Sequence, residues 1–410
     1  MIVAYILAKY PNLTETFIQN EITALRQRGL IIQILAIDKE DVPSVEAADT
    51  LGTIIYYGKN FAFDKFLAHL HCIAFYGYKY FRTLIASLFI NDKSFCDPLH
   101  NLKAFSISVY FLYRLRRSPV RLVHAHFINM PATIASLLSR LSGLPYSCSA
   151  HAHDIYTGNV SDINRKIAGS VFTVTCTAAN KDYLLKLCAD NYHDKIIHIY
   201  HGIDTSVWPS RIYNPNIIKP VKILSIGRLV EKKGFNYLLE VVSILKENGL
   251  DVRCTIVGDG PLKKKLKNQA KELFIEDVVT FHGAQPHEHI KDLYAGCDFF
   301  VLPCHISKDG DRDGLPNVLL EAIALGIPVI SSNISAIPEL VKHRFTGMLN
   351  AAGDSKSIAD NIMELTSNPE LRRSLSVNGR SMIEESFAMN NCTSRLKELL
   401  DKAASGGKEN

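Results

Sequence analysis

A chain of 410 residues with 47% hydrophobic and 21% charged side chains has the composition of a folded protein of two or three domains. A net charge of +5 is too mild to point to nucleic acid as a partner. Nine cysteines with no Cys-x-x-Cys pair argue against a disulfide framework and fit reduced thiols in a cytoplasmic protein.

The chain opens on an apolar run, Ile2–Leu7, without the basic start of a leader, so it reads as a first buried strand. Further strands are expected at Ile31–Ile37, Thr53–Tyr56, Arg121–His124, Tyr146–Ala150, Val171–Cys176 and Ile196–Ile199. Helical patterns lie between most of them. The stretch 61–117 is long for a crossover and rich in aromatics mixed with Lys and Arg. It predicts an insertion of two helices, either an added packing layer or a face that meets the inner membrane. No segment reaches the ~18–20 uninterrupted apolar residues of a membrane span. Pro209, Pro215 and Pro220 mark a linker over 205–220. A second series follows with strands at Val221–Ile226, Val252–Val257, Val278–Phe281, Phe299–Leu302 and Pro328–Ser331. Alternating strands and helices predict two α/β domains, each with a parallel sheet covered on both faces. The boundaries read as 1–204 and 221–386, then a helix within 387–404 and a disordered tail over 405–410.

The most informative stretch is Asp313-Gly-Leu-Pro-Asn-Val-Leu-Leu-Glu321. An apolar strand runs into a loop, and Pro316 fits the first turn of a helix over Asn317–Leu325. The free N–H groups of that turn form a ready anion site. Asp313 before the helix and Glu321 two turns in can touch different parts of one elongated ligand. Gly227-Arg-Leu-Val-Glu-Lys-Lys-Gly234 ends the first strand of the second domain, where ligands of open α/β sheets bind. Gly227 permits close backbone approach, and Arg228 and Lys233 suit a leaving pyrophosphate. Gly258 in Val257-Gly-Asp-Gly-Pro261 and Gly283 in Phe281-His-Gly283 end the next two strands, as turns or as the wall of a base pocket.

In the first domain His151, in Ser149-Ala-His-Ala-His-Asp154, ends the fifth strand. It reads either as a group facing the donor sugar or as a histidine bonded to backbone. The pairs His124/His126 and His151/His153 would each point two rings the same way on a strand, but the remaining ligands of a zinc pattern are missing, so no metal is assigned. Asp309-Gly-Asp-Arg-Asp-Gly314 imitates a calcium loop, yet its twelfth position is Leu320, and calcium is rejected.

Together these residues resemble glycosyltransferase family 4, a family with the GT-B fold. The likeness rests on the Gly-Arg-Leu…Lys-Gly loop, Val-Gly-Asp-Gly-Pro, the acidic-x7-Glu stretch, Gly326-Ile-Pro-Val-Ile and Ile337-Pro-Glu-Leu340. Tyr10-Pro-Asn-Leu-Thr-Glu-Thr-Phe-Ile18 and His124-Ala-His-Phe127 resemble a bacterial subgroup that builds exopolysaccharides of the colanic-acid type. The resemblance implies two Rossmann-like domains facing a cleft, with a C-terminal helix crossing back to the first. It implies retaining transfer of a hexosyl group from a UDP- or GDP-sugar to a glycan or lipid-linked glycan, without metal or other cofactor. Arg228 and Lys233 would hold the diphosphate beside Gly227, Gly258, Gly283, Gly314, Leu315 and Pro316, with the amides of Asn317 and Val318 capping it. Glu321 would bind the ribose, Asp313 the hexose, and His151 would stand near the reacting carbon. Thr14, Glu15, His126 and Asp154 would lie on the acceptor side. Two departures stand out: Asp313 replaces the family's first Glu, and Leu13-Thr-Glu-Thr16 replaces a glycine-rich loop. The rival readings are another GT-B enzyme, an epimerase or a phosphorylase, and a catalytically silent subunit that binds nucleotide sugar.

Overall fold

A computed structural model describes residues 1–12, 15–39, 54–58, 62–89, 98–211 and 213–406. The chain forms two compact units, one from residues 1–201 together with the segment from Met389 onward, the other from residues 202–388.

The first unit is built on a parallel seven-stranded sheet. Its strands are β1 (Ile2–Lys9), β2 (Ile31–Asp38), β3 (Ile54–Tyr56), β4 (Val120–His126), β5 (Tyr146–Ala150), β6 (Thr173–Thr175) and β7 (Ile196–His198). They lie in the order β3-β2-β1-β4-β5-β6-β7. The second unit carries β8 (Val221–Ile226), β9 (Val252–Val257), β10 (Val279–Gly283), β11 (Phe299–Leu302), β12 (Val329–Ser332) and β13 (Met348–Asn350), in the order β10-β9-β8-β11-β12-β13. Each order runs outward one way from its first strand and then outward the other way. Such a reversal places a ligand crevice at the carboxyl ends of the strands beside it.

Period-2 alternation sorts β1 between two cores. Ala4 and Ile6 pack with Phe105, Tyr110 and Ile134 on one face of the sheet. Val3, Tyr5 and Leu7 pack on the other face with Ile18, Ile22 and Leu25 of the helix Thr16–Gln27. The helix Met389–Ala404 closes this second layer with Leu396 and Leu400 and lies against the helix Thr16–Gln27. Arg28 fixes the pair from the edge, donating to the Asn390 side chain at 2.9 Å. The expected crossing helix therefore returns to the first unit.

The residues between β3 and β4 differ from the expected two helices. Three are present among the described residues, Ala62–Tyr76, Tyr78–Leu88 and Pro98–Leu115. Gly77, at a left-handed φ of 41°, splits the first from the second. The sequence reading also missed the three-residue strand β13. Among the described residues no helix is long and apolar enough to cross a membrane.

Candidate functional site

In the second unit β8 hands the chain to Gly227, whose N–H donates to the Val257 carbonyl at 2.9 Å. One strand over, Gly258 has φ +137° and donates to the Gly283 carbonyl at 2.8 Å. A Cβ on Gly258 would lie 1.9 Å from the Gly227 carbonyl oxygen, so no other residue fits there. Gly227, Gly258 and Gly283 thus form one rim across the ends of β8, β9 and β10.

Lys233 follows in a short 3-10 turn, Glu231–Lys233, which Gly234 closes at φ +68°. Its methylenes run beside Gly227, 3.3–3.4 Å from where a Cβ would stand. Its ammonium lies 2.7 Å from Asp313 Oδ2. Lys232 adds a contact of 3.5 Å to Asp313 Oδ1 and one of 3.1 Å to Asp311. Burial works against both charges. The Asp313 carboxylate outweighs it at Lys233 and holds that pKa above its ordinary value. Lys233 and Lys232 likewise outweigh burial at Asp313 and hold it below the usual carboxylate range. Lys233 and Asp313, which the sequence reading gave to different parts of the ligand, are ion-paired here. Arg228 is exposed, and its guanidinium has no partner among the described residues.

β11 ends at Leu302, and the loop after it leads through Gly314, Leu315 and Pro316 to the helix Asn317–Ala324. Pro316 occupies the N-cap without a side-chain cap. Leu319 N–H returns to the Pro316 carbonyl at 3.0 Å, which leaves the Asn317 and Val318 amides without acceptors among the described residues. Glu321 lies further along the same helix. The fully buried Tyr294 hydroxyl reaches its Oε2 at 3.0 Å and the Val318 carbonyl at 3.1 Å. Burial raises the Glu321 carboxyl to about 7, against the pull of the Tyr294 bond. A carboxyl at that value is half-ionised near neutrality, and its anion is a strong acceptor for a pair of hydroxyls.

The first unit gathers a second set of groups. β4 points His124 and His126 to one side, and both are fully buried. His126 Nε2 lies 3.1 Å from Glu21 Oε1, and the Tyr5 hydroxyl donates to the same oxygen at 3.0 Å. Burial would push Glu21 up, but His126, with His124 and His201 behind it, holds it down at about 2. His124 spends both ring nitrogens on Ser147 and Ser149, at 2.8 and 3.0 Å.

β5 ends at Ala150, and His151 is the N-cap of the short helix Ala152–Tyr156. A capping box joins it to Asp154: the ring accepts from the Asp154 N–H, and Asp154 Oδ1 accepts from the His151 N–H at 2.7 Å. Asp154 Oδ2 also takes the Ile128 N–H, which ties the loop after β4 to this helix. Burial lifts the Asp154 carboxyl to about 7 despite these bonds. Because Nδ1 of His151 accepts, Nε2 of the neutral ring carries the proton. Nε2 is buried and has no hydrogen-bond partner among the described residues. Burial, then His201 and His126, keep this ring well below the ordinary histidine value. It is a neutral donor in waiting, facing a small cavity also lined by Glu21, Cys176 and His201.

The second histidine pair corrects the sequence reading. His153 is exposed and lies on a helix, not beside His151 on a strand, because the strand stops at Ala150. Glu15 occupies the N-cap position of the helix Thr16–Gln27, and Thr14 lies outside the described residues.

Two groups, Glu21/His124/His126 and His151/Cys176/His201, bring possible ligand atoms within 4.8 Å of one another. Their hydrogen bonding does not suit a metal. A ligating histidine donates its other N–H outward, whereas His151 accepts there and His124 has no free nitrogen.

Sequence reasoning missed Glu21, His201, Lys232 and Tyr294. Glu21 had a signal: it falls among Ile18, Ile22 and Leu25 on one helical stripe, where a carboxylate needs a buried partner. Lys232 and Tyr294 had none, since their partners are set by long-range packing.

Comparison with known proteins places these residues in context. Residues 213–382 match the family described as Glycosyl transferases group 1. The chain is 36% identical over 186 residues to the amylovoran biosynthesis glycosyltransferase AmsK of Erwinia amylovora, covering 45% of this chain and 46% of that one. It is 29% identical over 377 residues to the putative colanic acid biosynthesis glycosyltransferase WcaL of Escherichia coli, covering 88% and 90%. Among solved structures, Anabaena Alr3699/HepE in complex with UDP superposes with a TM-score of 0.70 at 15% identity, over 98% of this chain and 99% of that one. The sucrose-phosphate synthase of Thermosynechococcus elongatus gives 0.73 at 15% identity, over 99% of both. At these identities the two structures speak to the fold alone, and the fold they share is GT-B.

Proposed function

We propose that this chain, whose residues 213–382 match the glycosyl transferases group 1 family and which is similar to AmsK and WcaL, is a retaining hexosyltransferase of that family. It takes a hexosyl group from a UDP- or GDP-sugar and delivers it to a hydroxyl of a lipid-linked exopolysaccharide or cell-surface glycan at the cytoplasmic face of the inner membrane. The observation that carries this reading is the uncapped helix start at Asn317 and Val318, with Lys233 and Asp313 at its mouth and Glu321 along the same helix. Such a site fits a sugar diphosphate joined to a ribose, and the group 1 match covers all of these residues.

In this reading the two free amides and the helix dipole hold the diphosphate. Lys233 and Arg228 stabilise the charge that grows on it as the glycosidic bond breaks, the task a metal serves in other transferases. The ionised Glu321 accepts from the ribose hydroxyls, and Asp313 accepts from the hexose. The Nε2–H of His151 donates to a sugar oxygen beside the reacting carbon. The acceptor attacks from the face the diphosphate leaves, and its proton passes to the departing phosphate oxygen. AmsK is named for amylovoran biosynthesis and WcaL, putatively, for colanic acid biosynthesis, which supports the acceptor class.

The test is thermal stabilisation of the full chain by UDP-, GDP- and ADP-sugars in EDTA, with Glu321→Ala as control. A ligand at a hundredfold excess over its Kd stabilises by ~2.7 kcal/mol. A shift with one nucleotide class that the variant loses supports the site and names the base. No shift with any of them overturns the nucleotide-sugar site, and with it the transferase reading.

A further inference from the structure

The helices Ala62–Tyr76 and Tyr78–Leu88 are built inside out. In the second, the buried side carries Tyr80, Thr83 and Ser87, while Tyr78, Phe81, Ile85 and Leu88 face solvent. Their spacing of three, four and three residues makes one continuous stripe on the helix. In the first helix, Ala68 and Cys72 turn inward, and Cys72 lies against the Val109 carbonyl of the helix Pro98–Leu115. Phe63, Phe66, Leu70 and Ile73 form the opposite, exposed stripe. His69 and Tyr80 bond to each other at 2.8 Å, and both pack toward the helix Pro98–Leu115 through Ser106 and Phe105. The inward sides of both helices are thus already occupied. Phe63, Phe66, Phe75, Tyr78, Phe81 and Ile85 are each more than half exposed.

A helix layer that serves packing alone turns its apolar stripe to the core. An apolar face this large on the outside marks a surface that is covered in use. The charges around it indicate by what. Across residues 62–89 and 98–117 the cations are Lys65, Lys79, Arg82, Lys103, Arg114, Arg116 and Arg117, against a single carboxylate, Asp64. Lys79 and Arg82 are exposed beside the stripe of the second helix. Aromatic and aliphatic side chains on one face, rimmed by cations, match the boundary between headgroups and acyl chains of an anionic bilayer.

We propose that these two helices dock the protein onto an anionic phospholipid bilayer, burying Phe63, Phe66, Phe81 and Ile85 at the acyl boundary while Lys79 and Arg82 engage lipid phosphates. This docking does not depend on the transferase reading. The helices belong to the first unit, and the nucleotide-sugar residues to the second.

The test is cosedimentation of the full chain with vesicles of phosphatidylglycerol and phosphatidylcholine, and of phosphatidylcholine alone. Two variants are compared, Phe66→Ser/Phe81→Ser/Ile85→Ser and Lys79→Glu/Arg82→Glu. All five positions are exposed, so circular dichroism and nucleotide-sugar stabilisation should stay at wild-type values. The expected result is binding to the anionic vesicles that weakens with salt. The apolar variant should lose at least tenfold in partitioning, and the charge variant roughly fivefold per cation. Absence of binding to anionic vesicles at low salt overturns the proposal. So does binding that both variants leave unchanged. A wild-type dimer that the apolar variant makes monomeric without changing vesicle binding also overturns it, and assigns the face to a second copy.

Discussion

Replacing Glu321 with Gln should stabilise the protein at neutral and alkaline pH while removing nucleotide-sugar binding. The carboxyl titrates at about 7 in the fold against a reference of 4.5. Its folded pKa is raised, so the folded state holds a proton that the unfolded chain has released. The stability tied to this proton is complete below about pH 4.5 and is lost as pH rises to about 7. A shift of about 2.5 units corresponds to about 3 kcal/mol of penalty on the anion, at roughly 1.4 kcal/mol per unit. Glu321 is partly open to solvent, so screening reduces this to about 1–2 kcal/mol. Gln cannot ionise, and its amide oxygen can still accept from Tyr294. For a unit the size of 202–388 the gain corresponds to roughly 2–8 °C in Tm. Calorimetry on both proteins from about pH 5 to about pH 8 measures it. The gap between variant and wild type should open with pH and then level off. A gap independent of pH, or a variant less stable at about pH 8, would show that burial does not hold this carboxyl near neutrality.

Gly258→Ala should cost about 3 kcal/mol, because its Cβ would meet the Gly227 carbonyl at 1.9 Å, and equilibrium unfolding of the second unit reads the loss. Lys233→Met leaves Asp313 with Lys232 at 3.5 Å as its nearest cation. Affinity for the preferred nucleotide sugar should fall about 10–100-fold by calorimetric titration, the worth of one charge-assisted hydrogen bond. Glu21→Ala strands His126 and the Tyr5 hydroxyl in the core and should destabilise the first unit by about 3–5 kcal/mol, seen as a lower denaturation midpoint. In the wild type, Glu21 is held at about 2, so the stability it provides is complete above about pH 4.5 and lost as pH falls toward about 2. Acid unfolding of Glu21→Ala should lack that component.

Strands in the middle of each sheet were legible because they are short runs rich in apolar and β-branched residues, most of them buried. β8, β9 and β11 fall on the expected residues, whereas β10 and β12 lie one residue later at their starts. Glycine rims and helix starts were legible because they follow from local backbone chemistry: a positive φ, a missing N–H, a strand end. The pairing of Lys233 with Asp313 was not, since no periodicity links a 3-10 turn after β8 to a loop after β11. His151 illustrates the limit from the other side. Sequence placed it at a strand end, but its role as an N-cap, and hence which nitrogen carries the proton, depends on the capping box it forms with Asp154. The apolar residues Tyr78, Phe81, Ile85 and Leu88 also recur at helical spacing, although the sequence reading noted only the aromatic content of 61–117. A period says that one side differs from the other, not which side the core is on.

The return of Met389–Ala404 to the sheet of the first unit has a consequence for biogenesis. Residues 202–388 are contiguous, so they can acquire their structure as soon as they leave the ribosome. The earlier-made residues 1–201 can pack Ile18, Ile22 and Leu25 against Val3, Tyr5 and Leu7, but they lack Leu396 and Leu400 until the end of synthesis. During the synthesis of nearly half the chain, the part of that apolar layer which Leu396 and Leu400 cover stays open, and exposed apolar surface of this kind favours aggregation. The part of the protein translated first is the part that matures second.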